Sequence, residues 1–160
     1  MENATQLSRR FRDVFLEGKW IANTNYQELL VDLDYQQATT KIGSLNTIAL
    51  LTFHIDYYLG GVLQVLQGGD LTIRDKFSFD CPPIESEADW QQLRQGFLDH
   101  AETFAQIIET LTEEQLRQPF VRKEYGNYWR NIEGMIEHGY YHMGQISLLK
   151  KLVLEGTSKS

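Results

Sequence analysis

The sequence has little of what marks several protein classes. Its single cysteine, Cys81, excludes an internal disulfide and fits a reducing compartment. The longest uncharged run, residues 42–55, has 14 residues and includes Ser, Asn, Thr and His, so it is too short and too polar to span a bilayer. The N-terminal segment lacks the apolar centre of a signal peptide. These absences predict a soluble, cytoplasmic protein with no membrane partner.

Basic residues are also scarce. The chain has 15 Lys and Arg against 22 Asp and Glu, a net charge of −7, and the basic residues form no cluster along the sequence. Because such a chain repels polyphosphate, we expect no nucleic-acid partner. A length of 160 residues is typical of one domain with its own core, so we predict a single domain over residues 1–160.

What the sequence does contain is helical periodicity. Asn3 followed by Gln6, and Ser86 followed by Asp89, resemble helix starts. Apolar residues then recur at helical spacing. We predict four long helices over 3–17, 44–67, 87–110 and 128–154, a short helix over 25–33, and a short helical turn at 112–116. The predicted fold class is all-α, a four-helix bundle.

The connecting segments are long. Connections of about 16 to 20 residues exceed those of simple hairpins, so some consecutive helices can run parallel. Residues 35–43 are polar and poorly periodic, and residues 71–85 suggest short extended pieces at Leu71/Ile73 and Phe77/Phe79. We expect Trp20 and Ile21 to pack against the bundle.

The last predicted helix holds two histidines, His138 and His142, four residues apart. On a helical wheel of about 100° per residue, the apolar residues of this helix surround His142, and His138 lies about 40° away. Both imidazoles therefore belong to the buried stripe of the helix. A third histidine, His54, lies on the flank of the apolar face of the second long helix.

Inward histidines on facing helices are a common way to build a metal site in a bundle. Three imidazoles with a fourth position open are typical of a catalytic rather than a structural site. Neutral imidazole suits Zn, Ni, Cu or Fe, so the ligands do not select the metal. The alternative interpretation is that buried polar partners such as Tyr57, Tyr58, Asn131 or a water satisfy these imidazoles.

Other chemistries find less support. Glu133 and Glu137 point about 140–180° away from His142 on the wheel, which argues against a zinc-protease arrangement with a catalytic glutamate. Ser44 and Ser147 lack a relay of histidine and aspartate, and Cys81 shows no sign of activation. The fourth histidine, His100, is predicted to lie on the flank of the third long helix.

Several motifs together resemble those of the DinB/YfiT-like superfamily. They are His138-x-x-x-His142-x-Gly144-Gln145-Ile146, His54 within LLTFHIDYY, the FSFD, Pro-Pro and Trp connection, and the block YGNYWRNIEGMIEHGYYHMGQI. The resemblance covers the chain from Leu45 onward, and GKW and NYQELLVDLD are consistent with one branch of the superfamily.

The resemblance implies an up-down-down-up bundle, a divalent metal ion held by His54, His138 and His142, and commonly a homodimer. Characterised relatives are thiol transferases that conjugate low-molecular-weight thiols such as bacillithiol or mycothiol to electrophiles. We therefore predict a metal-dependent thiol S-transferase that uses Zn or Ni, with Mn or Fe as alternatives, and a small thiol and an electrophile as substrates. A metal-dependent hydrolase, or a non-catalytic dimeric binding protein with a vestigial metal site, remains an alternative.

Aromatic residues near the predicted site are candidates for lining the substrate pocket. They are Tyr57, Tyr58 and Tyr128, with Trp129 beside them. Gln145 lies about 60° from His142 on the wheel, so we expect it to pack between helices or to support a ligand rather than to be one.

Overall fold

Four long helices form a bundle, and three short helices connect them. The structure is a computed structural model that describes residues 3–157, with side chains described through residue 156. The long helices are α1 (Ala4–Phe15), α4 (Ile48–Leu66), α5 (Glu87–Thr110) and α7 (Tyr128–Thr157), and the short ones are α2 (Tyr26–Leu30), α3 (Tyr35–Thr39) and α6 (Glu113–Arg117). No strand occurs among the residues described here, so the all-α prediction is confirmed.

Contacts between the long helices define their directions. Ser8 contacts Ala105 while Phe15 contacts Phe97, so α1 and α5 are antiparallel. Arg10 pairs with Glu133, and a Cβ at Gly139 would meet Phe15, so α1 and α7 are parallel.

The remaining two directions follow from α4. His54 contacts His142 and Tyr58 contacts His138, so α4 and α7 are antiparallel. It follows that α4 and α5 both run opposite to α1 and α7. The order of the long helices is therefore up-down-down-up.

An aromatic cluster holds α1 against α5. Phe11 stacks on Phe15 and Phe104, with ring centroids 4.4 and 4.7 Å apart, and the α2 residue Tyr26 stacks on Phe15 at 5.2 Å. All four rings are fully buried. Burial of one such side chain stabilises the fold by about 1.5–3 kcal/mol, so this cluster is a large part of the core. The Tyr26 hydroxyl donates to the carbonyl of Gly139, which ties α2 to α7 close to His138.

The connection between α4 and α5 must return along the bundle because these two helices are parallel. It does so on the surface of α4, where Ile73 lies over Gly61 and the hydroxyl of Tyr57 bonds the backbone of Arg74. Further along, Ser78 contacts His54. We call residues 67–86 the crossover segment. Its course brings loop atoms to one of the candidate metal ligands.

The crossover segment does not contain the predicted extended pieces. Residues 75–77 form a 3-10 helix, and Ile73 packs as a single side chain against α4. The apolar alternation in this segment serves contacts with α4 rather than strand pairing.

Helix boundaries differ from the prediction by up to four residues, and α2 ends at Leu30 rather than at residue 33. Helix α4 begins at Ile48 rather than at residue 44, because the Thr47 side chain accepts a hydrogen bond from the backbone of Leu50 and caps the helix there. Residues 35–39 form α3, which the polar sequence concealed. Its start is a capping box of Asp34 and Gln37.

The expectation that Trp20 and Ile21 pack against the bundle is wrong. Their side chains are 71% and 78% exposed. The chain reverses tightly here, with a hydrogen bond from the Asn23 amide to the Lys19 carbonyl and positive φ angles at Ile21 and Asn23. This reversal turns both apolar side chains outward.

One helix, α4, is long and apolar enough by length and composition to cross a membrane. Within the bundle, however, 61% of its most apolar window is buried, as in the core helix of a soluble protein.

Candidate metal centre

The three histidines predicted to bind metal lie together. His54 comes from α4, and His138 and His142 come from successive turns of the antiparallel helix α7. One ligand nitrogen from each lies within 4.8 Å of the other two. The imidazole centroids are 4.5 to 5.2 Å apart, and each ring meets the others nearly edge to face. The three imidazoles could therefore hold one metal ion.

The crossover segment orients the imidazole of His54. Its Nδ1 lies 3.2 Å from the backbone carbonyl of Ser78. A carbonyl can only accept, so Nδ1 carries the proton and donates, which leaves Nε2 as the ligand atom. The Phe79 ring stacks on the imidazole with centroids 4.0 Å apart and covers one face of it. Both the tautomer and the ring plane of His54 are thus determined by residues of the crossover segment.

Gln145 performs the same task for His142. The Oε1 atom of Gln145 lies 2.7 Å from Nδ1 of His142. A hydrogen bond from Nδ1–H to this oxygen again leaves Nε2 as the ligand atom, and it makes the imidazole a stronger electron donor to a metal. The position three residues along the same helix places the amide beside the ring.

The environment keeps these imidazoles neutral near pH 7. Burial, together with the neighbouring His142 and His54, lowers the pKa of His138 to about 4. Burial and His142 lower the pKa of His54, against the opposing effect of the Ser78 carbonyl. Burial also lowers the pKa of His142, while Gln145 raises it. Neutral imidazole is the form that binds metal.

A cleft opens beside the imidazoles. It has a volume of about 460 Å³, and both His54 and His138 line it. This volume falls within the range of small-molecule sites. His54 and His142 are only 7% and 6% exposed, whereas His138 is partly exposed and lines the cleft. A metal ion at the histidines would therefore be reachable from the cleft and shielded on its other sides.

The three tyrosines proposed as pocket residues have different positions. Tyr58 lines the cleft, contacts the rings of His54 and His138 at 5.2 and 5.3 Å, and donates a hydrogen bond to Asp75. Tyr57 bonds the backbone of Arg74 through its hydroxyl and does not line the cleft.

Tyr128 is the first residue of α7 and lies away from the histidines. Its ring packs against Phe120, with centroids 5.3 Å apart, and it borders a different cavity. Trp129 is partly buried against the apolar core. The structure therefore brings only Tyr58 of the three tyrosines to the histidines.

The remaining charged candidates lie elsewhere. Glu133 pairs with Arg10, and the exposed Glu137 pairs with Arg130. His100 is exposed and bonds Asp56, with Nδ1 and Oδ1 2.7 Å apart. No carboxylate side chain lies within the candidate cluster among residues 3–156.

Sequence reasoning did not find the roles of Ser78, Phe79 and Arg130. Ser78 acts through its backbone carbonyl and Phe79 through stacking, and neither action leaves a pattern in the sequence. Arg130 lines the cleft eight residues before His138. Its helical spacing from the histidines is the one signal that could have indicated this position.

Fold and site together define a class, a four-helix bundle with three histidines from two antiparallel helices. The family model of the DinB superfamily matches residues 21–146, most of the chain, and the chain belongs to this superfamily. Neither a curated protein nor a solved structure matches it. The family, the helical fold and the three-histidine cluster are compatible with a metal-dependent enzyme.

Proposed function

We propose that the protein is a metal-dependent transferase that joins a small thiol to an electrophile. The observation that supports it most directly is the geometry of three neutral imidazoles beside an open cleft. A divalent ion held by His54, His138 and His142, with Zn or Ni as the first candidates, would act as a Lewis acid that lowers the pKa of a thiol at the open position.

The lining of the cleft favours a thiol over water as the nucleophile. Enzymes that hydrolyse with a metal commonly pair it with a carboxylate as general base. Within residues 3–156, no Asp or Glu side chain lines this cleft. A thiol, with an ordinary pKa of about 8.5, can ionise without such a base. This difference favours the transferase over a hydrolase.

The proposed reaction conserves atoms and charge. The thiol proton leaves to solvent, and the sulfur lone pair forms a bond to an electrophilic carbon. The bond from that carbon to its leaving group breaks, and the leaving group departs with the electron pair. The Tyr58 ring lines the cleft beside His54, so it would contact the reactants, and the Phe79 ring would shield one face of the His54 imidazole from water.

The test combines metal analysis with a conjugation assay. Protein purified without a nickel column should contain about one metal ion per chain. With monochlorobimane as electrophile and a panel of thiols, wild type should conjugate at least one thiol faster than the uncatalysed rate, and His142→Ala should not. His100→Ala is the matched control, because His100 is exposed and remote from the cluster. Trace metal in wild type would support a vestigial site, and equal rates in wild type and His142→Ala would refute the transferase.

A homodimer in the cytoplasm is part of the same proposal. Tyr141, Leu148 and Leu152 are 65%, 57% and 38% exposed and recur at helical spacing, so they form an apolar stripe on the outside of α7. Such a stripe is suited to pack against a second copy. Light scattering should give twice the monomer mass, and Leu148→Glu should reduce it to that of one chain. The lone cysteine supports a reducing compartment.

A further inference from the structure

Among residues 3–156, one permanently charged side chain, Arg130, lines the cleft beside the histidines. The other polar residues that line it are Tyr58, Tyr125, Asn131, His54 and His138. Glu137 pairs with Arg130 but does not line the cleft, so the guanidinium is the charged group that a ligand meets there. A divalent ion at the histidines would add positive charge at the other end of the cleft. Both features favour an anionic ligand.

The guanidinium of Arg130 lies on the way to the histidines. Its Nη1 is 4.0 Å from the position that a Cβ would take on Gly134, so the side chain extends along α7 toward His138. Gly134 itself lines the cleft and has no side chain to fill it. Gly134 and His138 are one turn apart, about 6 Å along the helix axis.

One edge of the guanidinium is available to a ligand. Nη2 donates to Glu137 at 3.0 Å, an ion pair whose side chains are 56% and 63% exposed. Such an exposed pair holds the arginine in place but contributes little energy. The structure gives Nη1 no hydrogen-bond partner among the described residues. A planar guanidinium offers parallel N–H groups that match a carboxylate.

Asn131 forms a fixed polar wall of the cleft. Its Nδ2 donates to the carbonyls of Tyr125 and Asn127, each at 2.8 Å. These two bonds hold the amide in one orientation at the cleft. The cleft thus has a rigid polar end near Arg130 and a metal-binding end at the histidines.

We propose that the substrate thiol carries a carboxylate, and that Arg130 binds this carboxylate and determines specificity. The inference rests on the proposed function, because it places the sulfur at the histidine end. It adds the class of substrate, an anionic thiol, and the residue that selects it.

The test uses three thiols of equal chain length, 6-mercaptohexanoate, 6-mercaptohexanol and 6-aminohexanethiol. Calorimetric titration into zinc-loaded protein measures binding without turnover. We expect the acid to bind about 5- to 10-fold more tightly than the alcohol, and the amine to bind most weakly. Arg130→Gln should abolish the preference for the acid, and Arg130→Lys should restore part of it. Glu137→Gln should strengthen binding of the acid, because it removes a competing carboxylate.

Arg117→Gln is the matched control. Arg117 is also an exposed arginine in an ion pair, with Glu113 on α6, and it does not line the cleft. This variant changes the net charge as Arg130→Gln does and should leave the preference unchanged. Equal binding of all three thiols, or a preference that survives in Arg130→Gln, would overturn the inference while the transferase stands. Failure of every thiol to bind would overturn both.

Discussion

Acid should destabilise the metal-free protein through His138 in particular. The pKa of this imidazole is lowered to about 4 in the folded state, from an ordinary 6.5. Between these two values the unfolded chain binds a proton at His138 that the folded chain does not. The free energy of unfolding therefore rises with pH across this window. The contribution is complete above about pH 6.5 and is lost as the pH falls to about 4.

The size of the effect follows from the shift. A difference of about 2.5 pKa units corresponds to about 3.4 kcal/mol for a group without solvent screening. His138 is only partly buried, and it borders the open cleft, so screening reduces the expected loss to about 2 kcal/mol. This is a sizeable share of the 5–15 kcal/mol that typically stabilises a domain.

Urea unfolding followed by circular dichroism at pH 7, 6, 5 and 4, with EDTA present, measures the effect. Carboxylates contribute their own acid dependence, so the informative quantity is the difference between wild type and His138→Gln. Between pH 7 and pH 4, wild type should lose about 2 kcal/mol more of its free energy of unfolding than His138→Gln loses. A difference that is the same at every pH would show that His138 is not held neutral by its surroundings, and the reasoning would fail.

His100 provides a control of opposite sign. The hydrogen bond with Asp56 raises its pKa above the ordinary value. Its contribution to stability is therefore present below about pH 6.5 and is lost as the pH rises through the raised pKa. His100→Gln should destabilise the protein more at pH 6 than at pH 9. Because the pair is exposed, the effect should stay below about 1 kcal/mol.

Three further predictions concern packing and metal binding. In urea unfolding, Gly61→Ala should lower the free energy of unfolding by about 1–2 kcal/mol, because the new Cβ would lie 2.5 Å from Ile73. Gly60→Ala should raise it by up to about 1 kcal/mol, because its Cβ would meet no atom closer than 3.6 Å. Equal effects of the two variants would contradict this packing. Gln145→Leu should weaken zinc binding about 10- to 100-fold with the fold intact, and Gln145→Glu should retain most of the affinity. Unchanged zinc affinity in Gln145→Leu would show that the hydrogen bond to His142 is unimportant. Chelation should lower the melting temperature by only a few degrees without loss of helicity, and His54→Ala should do the same, whereas unfolding in either case would mark the metal as structural.

Helical periodicity and caps were enough to predict most of the fold. The apolar spacing of residues 87–110 coincides with α5, and the capping signal at Ser86 marks its first turn. The long connecting segments indicated that some consecutive helices run parallel, as α4 and α5 do. These features are local, so they can be read from one sequence. The short helix α3 escaped because five residues are too few to establish a period.

The sequence by itself also determined the candidate ligands, since His54, His138 and His142 lie on buried faces of their helices and the motifs around them resemble one superfamily. Only the tertiary structure decided which residues surround them. The carbonyl of Ser78 reaches His54 because parallel α4 and α5 require a segment that returns along α4, and no sequence pattern records such a contact. The packing of the helices likewise places Tyr58 at the cleft and Tyr128 at a different cavity near the start of α7. Faces of helices are set by local spacing, whereas contacts between segments distant in sequence are set by how the helices pack.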